Sequence, residues 1–127
     1  MKPECARKGI EWYKRFLKLI AKYPNQKIVP NETIDTVWHC HILDTMAYAE
    51  DCHRIFGKFI HHYPYFGMNG DADERDAAFE QTNLIAETEF GENFKALGAA
   101  ALECSTDCGW VDGLQSQIIE PALGAVR

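Results

Sequence analysis

The chain has 127 residues, enough for one domain with a single substantial core and too few for two ordinary ones. Apolar residues make up 46% and charged residues 25%, which excludes global disorder. No apolar run approaches the 18 residues of a membrane span, and Met1-Lys2-Pro3-Glu4 opens no signal peptide, so a soluble cytoplasmic protein without a membrane partner is expected.

The net charge of −6 is unevenly spread. Residues 1–30 hold eight Lys/Arg against two Asp/Glu, and residues 31–127 hold five against seventeen. A basic helix face beside an acidic body explains this better than phosphate binding, and no nucleic-acid partner is expected. The five cysteines, Cys5, Cys40, Cys52, Cys104 and Cys108, are odd in number and follow no export signal, so all are read as reduced thiols.

In chain order, Glu4 to Tyr23 reads as an amphipathic helix, with Ile10, Tyr13, Leu17 and Ile20 on one face and a stop at Pro24-Asn25. Lys27 to Pro30 is extended, because Pro30 pushes Val29 out of the helical region. Asn31 caps a second helix in which Ile34, Val37, Trp38 and His41 share a face. A further start signal lies at Asp44-Thr45. Periodicity does not say whether the second helix breaks there or runs on to Phe56. Gly57 ends or kinks that stretch, and Tyr63-Pro64-Tyr65-Phe66 is an aromatic loop. Asp71 or Asp73 caps a helix reaching Phe90 that buries Phe79, Asn83, Ala86 and Phe90. Another helical piece is expected from Asn93 to Glu103, and a short one near Leu114–Ile119 within a looser end, 104–127. The expectation is an all-α fold: one domain over 1–127, a bundle of five or six helices.

The chemistry is concentrated. All five histidines lie between His39 and His62, among Asp35, Asp44, Asp51, Cys40 and Cys52. Imidazole, carboxylate and thiolate are the ordinary ligands of zinc, iron and copper, so one transition metal ion, zinc or iron, is the expected cofactor. In a continuous helix His39 and His41 point about 200° apart and cannot share an ion, while His39 faces Asp35 one turn earlier. His41, beside Val37 and Trp38, is the more buried of the two. A bend at Gly57 is needed to bring His62 back from about 16 Å along a straight helix. The expected ligands come from His39, His41, Asp51 and His62, with Asp35 and Tyr48 orienting them.

The stretch Asp35-Thr36-Val37-Trp38-His39-Cys40-His41, followed by Tyr48, Asp51-Cys52, Phe56-Gly57 and His62, resembles the glycine-rich domain-containing protein-like family. Its recurrent pattern reads D-x-x-W-H-x-H, then Tyr, D-C, F-G and a His. The resemblance covers about residues 28–90 and implies a helical module whose recurring polar positions fall on Asp35, His39, His41, Tyr48, Asp51 and His62. Plant members carry it within longer proteins, and this chain looks like the short, standalone bacterial kind. Together these readings give a small metal-binding protein, acting if enzymatic on a small or peptide substrate. The alternative is a metal-free module for a protein partner, with a buried His/Asp network and an aromatic recognition loop.

Overall fold

The computed structural model describes residues 3–63, 68 and 70–97. Among these residues there are four α-helices, one short 3-10 turn and no strand: α1 (Pro3–Lys22), α2 (Glu32–Leu43), α3 (Thr45–Phe56), α4 (Ala72–Phe90) and the turn Phe94–Leu97. This is fewer than the five or six helices expected. The piece expected from Asn93 to Glu103 is a single 3-10 turn within the described residues, and the Leu114–Ile119 helix lies outside them.

Each boundary has a local cause. Pro3 opens α1, where its missing N–H costs nothing. The helix buries Ile10, Trp12, Tyr13, Phe16, Leu17 and Leu19 and keeps its lysines on the outer surface. Asn31 caps α2 by accepting the Ile34 N–H at 2.9 Å, and its amide donates to the Phe94 carbonyl at 3.2 Å. One side chain thereby starts a helix and anchors the distant 3-10 turn.

The chain breaks at Asp44, where φ −87° and ψ 79° depart from helix. Asp44 ends α2 and caps α3, its carboxylate accepting the Ala47 N–H at 3.3 Å. Gly57 then closes α3 at φ 76°, a left-handed value that any other residue would hold under strain.

The core joins α1, α2 and α3, with Ile85 and Ala86 of α4 and Phe94 closing its other side. Aromatic edges interlock here: Phe16 meets Trp38 at 5.0 Å between ring centres, and Trp12 meets Phe94 at 5.3 Å. Helices α1 and α2 approach closely at Gly9, where an added Cβ would stand 3.3 Å from Val37 Cγ2. The extended segment before α2 is tied to α4 by Thr82, a fully buried hydroxyl that accepts the Val29 N–H at 3.0 Å and donates to the Ala78 carbonyl at 2.8 Å. On α4 the buried residues are Thr82, Asn83, Ile85 and Ala86, whereas Phe79 and Phe90 are half-buried.

Candidate metal centre

Helix α2 separates its two histidines as the helical angle requires. His39 is exposed on one side, and His41, 2% exposed, enters the core on the other. They belong to two different constellations.

The first is at the surface. Asp35 and His39 lie one turn apart on α2, and His62 comes over them from the extended segment after α3. His62 Nε2 is 2.7 Å from Asp35 Oδ1 and 3.0 Å from His39 Nε2, and His39 Nε2 is 3.3 Å from Asp35 Oδ2. One donor atom from each residue falls within 4.8 Å of the others, the one such group among the described residues.

A proton on His62 Nε2 serves Asp35 Oδ1 and the lone pair of His39 Nε2 together, and leaves His39 and Asp35 facing each other at 3.3 Å without a hydrogen bond. A cation among the three donors would engage all of them at once. Metal bonds of about 2.0–2.1 Å separate neighbouring ligand atoms by about 2.9 Å at right angles and about 3.3 Å at tetrahedral angles; the two imidazole nitrogens at 3.0 Å fall in that range, and the 2.7 Å from His62 to Asp35 is slightly shorter.

His62 is brought to this point by a chain of contacts. Gly57 turns the backbone, and the Tyr48 hydroxyl donates to the Ile60 carbonyl at 2.6 Å while accepting the Trp38 indole N–H at 3.0 Å. Trp38 in turn lies 4.4 Å from the His62 ring. Tyr48 and Trp38 thus bind the returning segment onto the helix that carries Asp35 and His39.

The second constellation is buried. His41 Nε2 lies 2.8 Å from Asp51 Oδ2, and His41 Nδ1 lies 2.8 Å from the Tyr13 hydroxyl. Asp51, 3% exposed, is also held by the Arg54 guanidinium. Burial pulls the His41 pKa below the ordinary imidazole value, against the hydrogen bond to Asp51 that raises it. The neutral ring therefore donates from Nε2 to Asp51 and accepts the Tyr13 O–H at Nδ1. Burial likewise pushes the Tyr13 and Tyr48 phenols up, so both stay protonated. With both nitrogens engaged, His41 has no lone pair left for an ion.

The four expected ligands therefore part into two pairs. His39 and His62 meet at the surface with Asp35, which touches both rings directly instead of orienting one. His41 and Asp51 meet each other in the core. Tyr48 acts on the segment carrying His62. The pairings of Tyr13 with His41 and of Arg54 with Asp51 went unread in the sequence, although Arg54 stands one turn beyond Asp51. His53 and His61 are exposed. Cys52 is a buried free thiol whose pKa burial raises, whereas Cys40 is disulfide-bonded, so the expectation of five reduced thiols fails at Cys40.

Asp35, Trp38 and His62 also line an open cleft of about 1000 Å³, with Val29, Tyr63 and Arg75 among its other walls. Any ion held by the three donors stands at its edge. No helix among the described residues is long and apolar enough to cross a membrane.

A model of the UCP032817-like family matches residues 5–95, a window that contains the surface triad and the whole buried network. The chain belongs to this family. Glycine-rich domain-containing protein 1 of Arabidopsis thaliana is 30% identical to this UCP032817-like chain over 91 residues, which are 68% of the chain and 11% of the plant protein. Glycine-rich domain-containing protein 2 of the same plant is 31% identical over 91 residues, 68% of the chain and 12% of that protein. The UCP032817-like chain thus spans about an eighth or less of the length of these relatives, and the glycine-rich domain-containing protein-like resemblance is shown. No solved structure matches it.

Proposed function

We propose that this UCP032817-like protein holds one zinc or iron ion on Asp35, His39 and His62 and presents it to the adjoining cleft. The observation that carries this reading is the convergence of one donor atom from each of the three residues within 4.8 Å. Two imidazoles and a carboxylate leave further coordination positions open, the arrangement of catalytic zinc and of non-haem iron. In such a site the ion supplies activation of water or dioxygen. The protein's own part is to fix the donors, Asp35 and His39 by helical spacing and His62 through Tyr48 and Trp38, and to seat a small or peptide substrate in the cleft.

The test is titration of tag-free, metal-stripped protein with zinc or cobalt(II). One ion per chain is expected, with binding weakened at least about a hundredfold in His39→Ala and His62→Ala. His39 is 54% exposed, so its variant keeps the fold. Binding lost in His41→Asn but kept in His39→Ala and His62→Ala would overturn the assignment.

A second reading is a metal-free docking module for a protein partner. It is favoured by Leu43 and Met46, 73% and 84% exposed beside the α2–α3 junction, and by a buried network that is satisfied without any ion. Of the aromatic loop expected to recognise a partner, only Tyr63 lies within the described residues, and it is exposed. Stripped protein that stays folded and takes up no metal would favour this reading.

A further inference from the structure

A second, smaller cleft of about 530 Å³ lies between the end of α1 and the end of α3 and shares no lining residue with the cleft beside the metal centre. Its apolar lining includes Ile20, Phe56 and Ile60, each half-buried and packed onto the core. Its polar lining is basic: His53, Arg54 and Lys58, with no Asp or Glu among the described residues. Basic residues at the end of α3 suit the helix dipole and Asp51 balances Arg54, but neither accounts for the apolar lining or for Lys58, which has no acidic partner among the described residues.

Arg54 gives the cleft a fixed anchor. Buried Asp51 holds one guanidinium nitrogen, so the side chain is oriented from below, and at 41% exposure its remaining N–H groups are open to a ligand. His53 and Lys58 have no ion-pair partner among the described residues. An oriented guanidinium, the unpaired Lys58 ammonium, the His53 imidazole and an apolar lining are complementary to a molecule with an apolar body and an anionic end. The volume is within the range of about 300–1,000 Å³ usual for small-molecule sites.

We infer that the cleft between α1 and α3 binds an amphipathic carboxylate, an acyl or aryl chain whose carboxylate pairs with Arg54 and whose body lies on Ile20, Phe56 and Ile60. The inference is independent of the metal reading, and its test uses the full chain free of metal. Sodium octanoate is titrated in and followed by amide chemical shifts. Shifts are expected at residues 20–21 and 53–60, with a dissociation constant of about 1 mM, a value that ten heavy atoms support. Octylamine, of the same length and opposite charge, is expected not to bind.

The double variant His53→Glu/Lys58→Glu leaves Arg54 and Asp51 in place and is expected to weaken octanoate about tenfold, the effect of two exposed charge pairs. Equal binding of octanoate and octylamine would overturn the inference. So would the same shifts with sodium acetate alone, unchanged affinity in the double variant, or no shift at 10-fold higher octanoate than about 1 mM.

Discussion

Tyr48→Phe removes one oxygen atom and tests how the returning segment is held. The ring stays, so its edge contacts with His41 at 4.9 Å and Phe59 at 5.3 Å survive and no cavity opens. Two hydrogen bonds are lost. The Ile60 carbonyl belongs to a half-buried residue and regains a partner from water. The Trp38 indole N–H is buried and does not, and a buried donor left unpaired costs about 1–3 kcal/mol. Urea unfolding of the metal-free variant is therefore expected to show a loss of about 2 kcal/mol. The larger consequence falls on His62, two residues beyond Ile60: zinc affinity is expected to drop about 10- to 100-fold, as when a ligand loses its supporting contacts. The control is Thr82→Val, of similar cost on α4, in which zinc affinity holds. A Tyr48→Phe protein that is destabilised yet binds zinc like the wild type would refute the positioning argument.

Thr82→Val itself leaves the Val29 N–H without its acceptor and is expected to cost about 1–3 kcal/mol, with Thr82→Ser much milder; urea midpoints compare the two. Gly9→Val places two methyl groups where even a Cβ stands 3.3 Å from Val37, and calorimetry is expected to show a loss of about 1–3 kcal/mol from overpacking. His41 faces Tyr13, Asp51 and Asp44, and burial holds its folded pKa below the unfolded value near 6.5. Unfolded chains then bind the extra proton, so its contribution is complete above about pH 6.5 and declines as pH falls below it, by up to about 1.4 kcal/mol per unit. Ring carbon shifts should show His41 titrating below the ordinary imidazole value; titration at or above that value would contradict this.

Much of this architecture was legible in the sequence because local chemistry dictates it. Asn31, Asp44 and Gly57 are cap residues by type, and the structure uses each as one. The opposite fates of His39 and His41 follow from the helical angle alone, as does the approach of Asp35 to His39. What periodicity does not contain is the path of a non-helical segment. The five residues from Lys58 to His62 have no repeat to read, yet they decide whether His62 meets His41 in the core or Asp35 and His39 at the surface. Sequence reasoning kept both His39 and His41 as ligands beside His62 and favoured His41 because it is the more buried. It missed that Tyr13, from another helix, takes up that ring's second nitrogen. On α4, Asn83 and Ala86 are buried as expected, while Phe79 and Phe90 are half-buried and Thr82 is drawn inward by a backbone N–H on a distant segment and not by apolar spacing.

The most direct measurement is an anomalous difference map, recorded at the zinc absorption edge, from crystals of tag-free protein grown with zinc. The account predicts one strong peak per chain, about 2.0–2.1 Å from Nε2 of His39, Nε2 of His62 and a carboxylate oxygen of Asp35. A peak beside His41 or Asp51, or a map without one at this triad, would contradict it.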